Sequence, residues 1–325
     1  MTRVAVLMGG ISAEREVSLT SGRACAQALS DEGFDVVAID AHPETLAERL
    51  AEAAPDVVFN ALHGDWGEDG AVQGILEAAQ IPYTHSGVAA SRMAMNKDFA
   101  KSVFALHGIT VAAGGTMPRA AIAAGATLPI PCVIKPNGSG SSASVYIVTE
   151  EGTNIAQRIA EDTGLGDDPV VERFIAGREL TVAVMGGRPL CVTEIVPTDG
   201  WYDYHAKYSD GGSTHIVGVE LPRAVEALAL EWARLAHAAL GCLGVTRADF
   251  RFDDAGLPEN PSREDVVNRL VMLEVNTQPG MTPTSLVPEQ CQHDGMSFGA
   301  LCRWMVEEAS WPRIAGIRDL HGSAR

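Results

Sequence analysis

Short apolar runs alternate with amphipathic stretches through the first third of the chain. Residues 4–8 read as a short buried strand. A helix is predicted from about Ser18 to Asp31, with Gly33 just past its end, where a left-handed cap favours glycine. Residues 36–40 and 56–62 read as second and third strands, residues 70–80 as a helix, and Ile81-Pro82-Tyr83 as a short extended piece. Strands alternating with helices predict a parallel sheet covered on both faces. Ligands in such folds sit beyond the C-terminal ends of the strands. Gly9-Gly10 and His63-Gly64 fall at two of those ends.

The pattern then changes. A helix over 96–107 leads into a strand-rich region from 108 to 190, with strands at 131–135, 144–148, 170–174 and 180–185 and two glycine-bearing loops between them. The stretch 197–215 is polar, aromatic and glycine-containing, and reads as a loop or lid. An alanine-rich amphipathic helix over 222–240 precedes two strand-like runs, one holding Asp249 and the other Glu274 and Asn276. Residues 253–269, with Pro258, Pro261 and mixed charge, read as an extended hairpin connection, and 296–309 as a helix. No internal repeat is visible.

Composition bounds the function. A chain of 325 residues, 46% hydrophobic and 20% charged, describes a soluble globular protein of two or three domains. No apolar run is long enough to cross a bilayer. The N-terminus enters a strand and a glycine turn with no signal-peptide core, so a cytoplasmic location is expected. Six cysteines without a Cys-x-x-Cys pair fit reduced thiols. A net charge of −18 argues against a nucleic-acid partner. Any nucleotide must be held by local cations, backbone N–H groups and metal.

Candidate chemistry starts with Asp249, Glu274 and Asn276. Glu274 and Asn276 are two apart and share one face of a strand. Three oxygen donors suit a hard cation such as Mg²⁺, which favours carboxylates plus nucleotide phosphates; a solvent-facing polar hairpin is the plainer alternative. Asn137-Gly138-Ser139-Gly140-Ser141-Ser142 follows a strand ending in Lys135. Successive N–H groups there can cradle a phosphate, or the segment is a flexible turn; Gly-Lys-Ser/Thr is absent. The segment from Gly9 to Glu16 is not Gly-x-Gly-x-x-Gly, so a dinucleotide site is unsupported. Its two acids and arginine suit an amino group or carboxylate, or a charged first helical turn. The loop from His63 to Gly70, the aromatic loop from Trp201 to Tyr208, and the strand end Val171-Glu172-Arg173-Phe174-Ile175 each admit a structural role or a binding role.

Taken together and in order, these segments resemble D-alanine–D-alanine ligases of the ATP-grasp superfamily. The resemblance spans nearly the whole chain: Gly9-Gly10-x-Ser12-x-Glu14-x-Glu16-Val17-Ser18, His63-Gly64-x-x-Gly67-Glu68-Asp69-Gly70, Lys135-Pro136, Gly140-Ser141-Ser142, Tyr202-Asp203-Tyr204-x-Ala206-Lys207-Tyr208, Arg247-x-Asp249 and Glu274-x-Asn276-Thr277-x-Pro279-Gly280-Met281-Thr282. The resemblance implies an α/β and α+β fold: a Rossmann-like domain over 1–95, a central ATP-grasp subdomain over 96–175, and a C-terminal one over 176–325. It implies that ATP phosphorylates the carboxylate of one D-alanine, whose acyl phosphate is attacked by the amine of a second. Asp249, Glu274 and Asn276 then match the ligands of two Mg²⁺ (or Mn²⁺) ions. Lys97, Lys135 and Lys207 resemble the phosphate-contacting lysines, with Ser142 in the phosphate loop. Glu172, Phe174, Ile175 and Glu179 match the adenine and ribose pocket. Glu14 matches the anchor of the first D-alanine's ammonium in a hydrogen-bond set with Ser141 and Tyr208, and His63 lies beside that substrate. Arg247 and the Gly280 N–H match an oxyanion hole, and Ser285 and Leu286 the acceptor side. The retained Lys-Tyr pair favours an amine acceptor, since relatives that make an ester depart from it. Ala143-Ser144 departs from the family's usual Val-Gly. A homodimer is implied.

Overall fold

The structure is a computed structural model that describes residues 1–140, 144–150, 154–198 and 211–315. Its first part alternates as the pattern requires: β1 (Arg3–Gly9), α1 (Arg15–Asp31), β2 (Asp35–Ala41), α2 (Leu46–Ala53), β3 (Val57–Asn60), α3 (Ala71–Ala79) and α4 (Val88–Met95). The strands form a parallel sheet in the order β2-β1-β3. The pleat sends alternate side chains to opposite faces. Val4, Val6 and Met8 enter one core with Cys25 and Leu29 of α1, while Ala5 and Leu7 enter another with Leu46, Leu50, Val72 and Leu76. Helix α1 begins earlier than the spacing predicts because the Ser18 N–H already donates to the Glu14 carbonyl at 3.0 Å. Helices α2 and α4 add to the expected elements.

Asn96 separates α4 from α5 (Lys97–Leu106) and caps it, accepting from the Phe99 N–H at 2.9 Å. The next elements are β4 (Gly114–Thr116), α6 (Arg119–Ala123), β5 (Cys132–Lys135), β6 (Tyr146–Val148), α7 (Ile155–Glu161) and β7 (Val170–Arg173). Their strands make an antiparallel sheet in the order β4-β7-β5-β6. There follow β8 (Arg178–Met185), β9 (Arg188–Pro197), β10 (Ser213–Val217), α8 (Arg223–Ala239), β11 (Val245–Phe252), α9 (Arg263–Val266), β12 (Leu270–Asn276), α10 (Leu286–His293) and α11 (Phe298–Glu308). Their strands form a second antiparallel sheet, β10-β9-β8-β11-β12.

Three sequence expectations change here, the first being the loop expected over 197–215: its ends lie in β9 and β10, and residues 199–210 lie outside the described residues. Strand β9 lies where no strand was predicted. It is turned back from β8 by Gly186-Gly187, both at positive φ (57° and 82°), the backbone that two-residue hairpin loops demand. Residues 253–269, expected as an extended connection, contain α9. The sequence carries its signal: Ser262 and Asp265 form a reciprocal capping box.

Long-range packing ties the parts together. Phe104 of α5 joins Trp232 of α8, Phe250 and Leu270 in one core. Leu301, Cys302 and Met305 of α11 pack with Val4 and Phe59 of the first sheet and Met185 and Val245 of the last. At about 1.5–3 kcal/mol for each large apolar side chain fully buried, α11 is firmly docked. Arg313, 2% exposed, completes the junction: its Nε donates to the His85 carbonyl at 2.7 Å and its Nη1 to the Glu308 carbonyl at 3.0 Å. No helix among the described residues is long and apolar enough to cross a membrane.

Candidate active site

β11 and β12 pair so that Asp249 lies opposite Glu274 and Arg247 opposite Asn276. All four therefore stand on one face of the sheet. The register slips between Asp249 and Phe250, where Leu273 is the extra residue on β12. Such a bulge bends a strand and re-aims its side chains. Arg247 grips Asp249 with two parallel bonds, Nε to Oδ1 at 2.8 Å and Nη2 to Oδ2 at 2.7 Å, and the Thr181 hydroxyl donates to Oδ1 at 2.7 Å. The Asn276 side-chain oxygen accepts from the Gln278 N–H at 2.8 Å. Lys97 Nζ sits 3.5 Å from Glu274 and donates to the Ser139 carbonyl at 2.6 Å. Two carboxylates and an amide oxygen, with no sulfur or imidazole among them, suit a hard divalent ion. That Lys97 and Arg247 are already drawn to these carboxylates shows that positive charge is favoured there.

Two cavities open from this face. One, of about 190 Å³, lies between the first sheet and the last and is lined by Glu14, His63 and Glu68 on one side and Arg247, Asn276 and Gly280 on the other. The second, of about 160 Å³, lies between the two antiparallel sheets, with Lys135, Glu172, Phe174, Ile175, Glu179 and Asp249 in its walls. Lys97, Gly140 and Glu274 line both. The Arg247–Asp249 pair likewise presents its guanidinium to the first cavity and its carboxylate to the second.

The second cavity has a buried electrostatic frame. Glu172, 2% exposed, accepts from Lys135 at 2.5 Å and from Lys101 at 2.8 Å. Burial alone would raise the Glu172 carboxyl, but the two ammonium groups outweigh it and hold the group below its ordinary value. Burial would lower Lys135, but Glu172 and Glu274 outweigh that and raise it. Glu172 is therefore a counter-ion for two lysines as well as part of the wall. Lys101 was missed by sequence reasoning, although it lies four residues after Lys97 on the same helix face. Arg251 was missed too. It donates to the Ile175 and Gly177 carbonyls at 3.2 and 2.6 Å and to Glu179 at 3.2 Å, which fixes the strand end that carries Phe174 and Ile175.

Gly177 (φ +96°) passes so close to β11 that a Cβ would lie 2.1 Å from the Phe252 carbonyl oxygen. Gly177→Ala is expected to cost about 1–3 kcal/mol of stability and to loosen this wall. A lowered thermal midpoint checks it; an unchanged one would sink it.

In the first cavity, Glu68 was quoted in a motif but given no role. Burial, then the Glu14 and Glu274 charges, push its carboxyl up to about 8. His215, also unforeseen, lines the same cavity and bonds Glu289 at 2.7 Å. Ser285 immediately precedes α10 without capping it through its side chain; its Oγ accepts from the Thr282 N–H at 3.1 Å and would lie 3.0 Å from a Cβ on Gly280. Leu286 completes that wall. His63 reaches the cavity, but both ring nitrogens are engaged within the protein, with the Gln278 carbonyl (3.2 Å) and the Ser21 hydroxyl (3.1 Å). Ser141, Ser142, Lys207 and Tyr208 lie outside the described residues. Ser144, in place of the family's usual glycine, takes a left-handed backbone, φ 59°, a conformation that a glycine would enter without strain.

A cleft between two antiparallel sheets, with buried lysines on one wall and the Asp249 and Glu274 carboxylates on the other, is the ATP-grasp arrangement behind a parallel-sheet domain. That fold and cleft define a class, the ATP-dependent ligases. The family described as D-ala D-ala ligase C-terminus matches residues 116–307, and that described as D-ala D-ala ligase N-terminus matches residues 41–86. The chain is 55% identical over 311 residues to a D-alanine–D-alanine ligase of Dinoroseobacter shibae, covering 96% of each, and 55% identical to one of Cereibacter sphaeroides, covering 96% of this chain and 97% of the other. Among solved structures, D-alanine–D-alanine ligase from Bacillus anthracis complexed with ATP superposes with a TM-score of 0.77 at 26% identity, covering 95% of this chain and 97% of that one. The VanG D-Ala:D-Ser ligase of Enterococcus faecalis gives 0.73 at 28%, covering 94% and 98%. The chain belongs to the D-alanine–D-alanine ligase family.

Proposed function

We propose that this protein joins two D-alanines at the expense of ATP, through a D-alanyl phosphate, giving D-Ala-D-Ala, ADP and phosphate for peptidoglycan precursors. The observation that carries the reading is the meeting of the two cavities at Lys97, Gly140 and Glu274. A nucleotide in the second cavity has its phosphates at that junction, and an amino acid in the first has its carboxylate there.

In this reading Glu172, Phe174, Ile175 and Glu179 form the adenine and ribose pocket, and Lys97 and Lys135 hold phosphates as point charges. Lys207 and Ser142 complete the phosphate contacts. Glu14, with Ser141 and Tyr208, anchors the ammonium of the first D-alanine. Arg247 and the Gly280 N–H donate to the oxygen that becomes negative as the second amine attacks. Ser285 and Leu286 receive the second D-alanine. Asp249, Glu274 and Asn276 hold two Mg²⁺ or Mn²⁺ ions, which neutralise charge on the transferring phosphoryl group. We divide the chain at 95/96 and 175/176 and assign it to the cytoplasm as a homodimer.

The test is phosphate release from ATP with D-alanine present or absent, with the dipeptide assayed directly and D-serine and D-lactate as alternative acceptors. Release without dipeptide, or equal rates with L-alanine, sinks the reading. Chelation of divalent ions is expected to abolish turnover and added Mg²⁺ or Mn²⁺ to restore it; turnover that survives chelation overturns the assignment of the trio.

A further inference from the structure

His63 faces the reacting cavity, yet neither of its nitrogens is available to a substrate. Nδ1 lies 3.2 Å from the Gln278 carbonyl and Nε2 lies 3.1 Å from Ser21 Oγ, and all three residues are buried. A carbonyl oxygen only accepts, so Nδ1 carries the proton. Nε2 is then a bare lone pair, and the Ser21 hydroxyl donates to it. Burial, with Arg247 nearby, lowers the imidazole to about 4, so it is neutral at physiological pH and has one proton to place. The Gln278 carbonyl thus selects the tautomer, and the Ser21 hydroxyl, able to donate or accept, completes it by donating to Nε2.

Gln278 is the joint of the loop that follows β12. Its N–H donates to the Asn276 side chain at 2.8 Å and its side-chain amide to the Asn60 carbonyl. Its carbonyl is held by His63. Two residues on is Gly280, and then Met281, whose carbonyl accepts from Cys25 Sγ at 3.6 Å. Ser18, one turn before Ser21 on α1, bonds the Ala61 carbonyl at 2.8 Å. α1 is thereby fixed against the same β3 exit that carries His63.

We propose that His63 is a positioning residue, held as the Nδ1–H tautomer between the Gln278 carbonyl and the Ser21 hydroxyl, and that it holds the Gln278 carbonyl so that the Gly280 N–H is aimed at the developing oxyanion. The inference rests on the ligase reading above. A misplaced donor of this kind costs on the order of 10²-fold in rate, and nucleotide binding, which uses the other cavity, is left alone.

The amide nitrogen of asparagine reproduces Nδ1 of histidine, and that of glutamine reproduces Nε2. His63→Asn is therefore expected to keep kcat for dipeptide formation within about 10-fold of the wild type, one hydrogen bond's worth. His63→Gln and His63→Ala are expected to fall about 100-fold. Ser21→Ala, which removes one hydroxyl and opens no large void, is expected to lower kcat about 10-fold with the ATP KM unchanged. The pH profile of kcat keeps its shape in His63→Asn. Equal loss across all three His63 variants, with a limb of the pH profile gone, identifies a proton carrier and overturns the proposal. An ATP KM that rises with the fall in kcat in Ser21→Ala also overturns it, because it signals a general structural defect. A wild type that forms no dipeptide sinks the ligase reading itself, a result distinct from either.

Discussion

Arg247→Ala is expected to lower kcat for dipeptide formation by about 10²–10³-fold, the loss typical of one oxyanion-hole donor, while the Kd for ATP stays within about threefold. Arg247 reaches the first cavity, where the two amino acids would meet, and the nucleotide would sit in the second. Its guanidinium makes two parallel bonds to Asp249, so it is held still before charge develops, and a fixed donor needs little reorganisation at the moment of reaction. The same fork gives the substitution a second consequence. Asp249 would keep only the Thr181 hydroxyl, at 2.7 Å, and its carboxylate would gain freedom to rotate. Arg247→Lys separates the two effects, because an ammonium keeps the charge but cannot reproduce the fork. If lysine restores ATP-dependent acyl phosphate formation but not dipeptide, the oxyanion role stands. If alanine weakens ATP binding as much as it slows turnover, the main task of Arg247 is to hold Asp249. Steady-state kinetics beside calorimetric nucleotide binding decides.

What the sequence makes legible is what short spacing can encode. Glu274 and Asn276, two apart on an apolar run, do share a face, and pairing with β11 brings Arg247 and Asp249 onto it. Of the two strand ends singled out, the one at His63 does mark the rim of a cavity, while Gly9 and Gly10 are not among its lining residues; Gly140, in the loop after β5, is. What spacing does not encode is which distant element completes a surface. The first sheet looks self-sufficient from 1 to 95, yet α11, more than 200 residues on, packs against its β1 and β3. An amphipathic pattern states that a helix has an apolar face, not what covers it. Gln278 stands in a quoted motif without suggesting its grip on His63, because a backbone carbonyl leaves no mark in side-chain pattern. The capping box at Ser262 and Asp265 was written in the sequence and went unused, since two nearby prolines suggested an extended path.

Glu172→Gln is expected to be the most destabilising single change at this site, by about 3–5 kcal/mol, the cost of stripping the partner from a buried ion pair. Lys101 and Lys135 are 71 and 37 residues away from Glu172 along the chain, and each is under a tenth exposed. With a neutral amide between them, two ammonium groups face each other in a site that water barely reaches. The pH dependence carries the sign of this interaction. The Glu172 carboxyl is held below its ordinary value in the folded protein. Its contribution is therefore fully present above the unfolded carboxylate value and is lost as pH falls through the lower, folded one. Wild type is expected to lose stability on that acid limb, and Glu172→Gln to show a shallower limb from a lower plateau. Adding Lys101→Met removes one of the stranded charges and is expected to recover part of the loss, a coupling that a double-mutant cycle reads directly. Denaturant unfolding at pH 7 and across the acid range supplies the numbers. A variant as stable as wild type at pH 7, or a double substitution less stable than the sum of the singles, would show that the two lysines do not depend on Glu172.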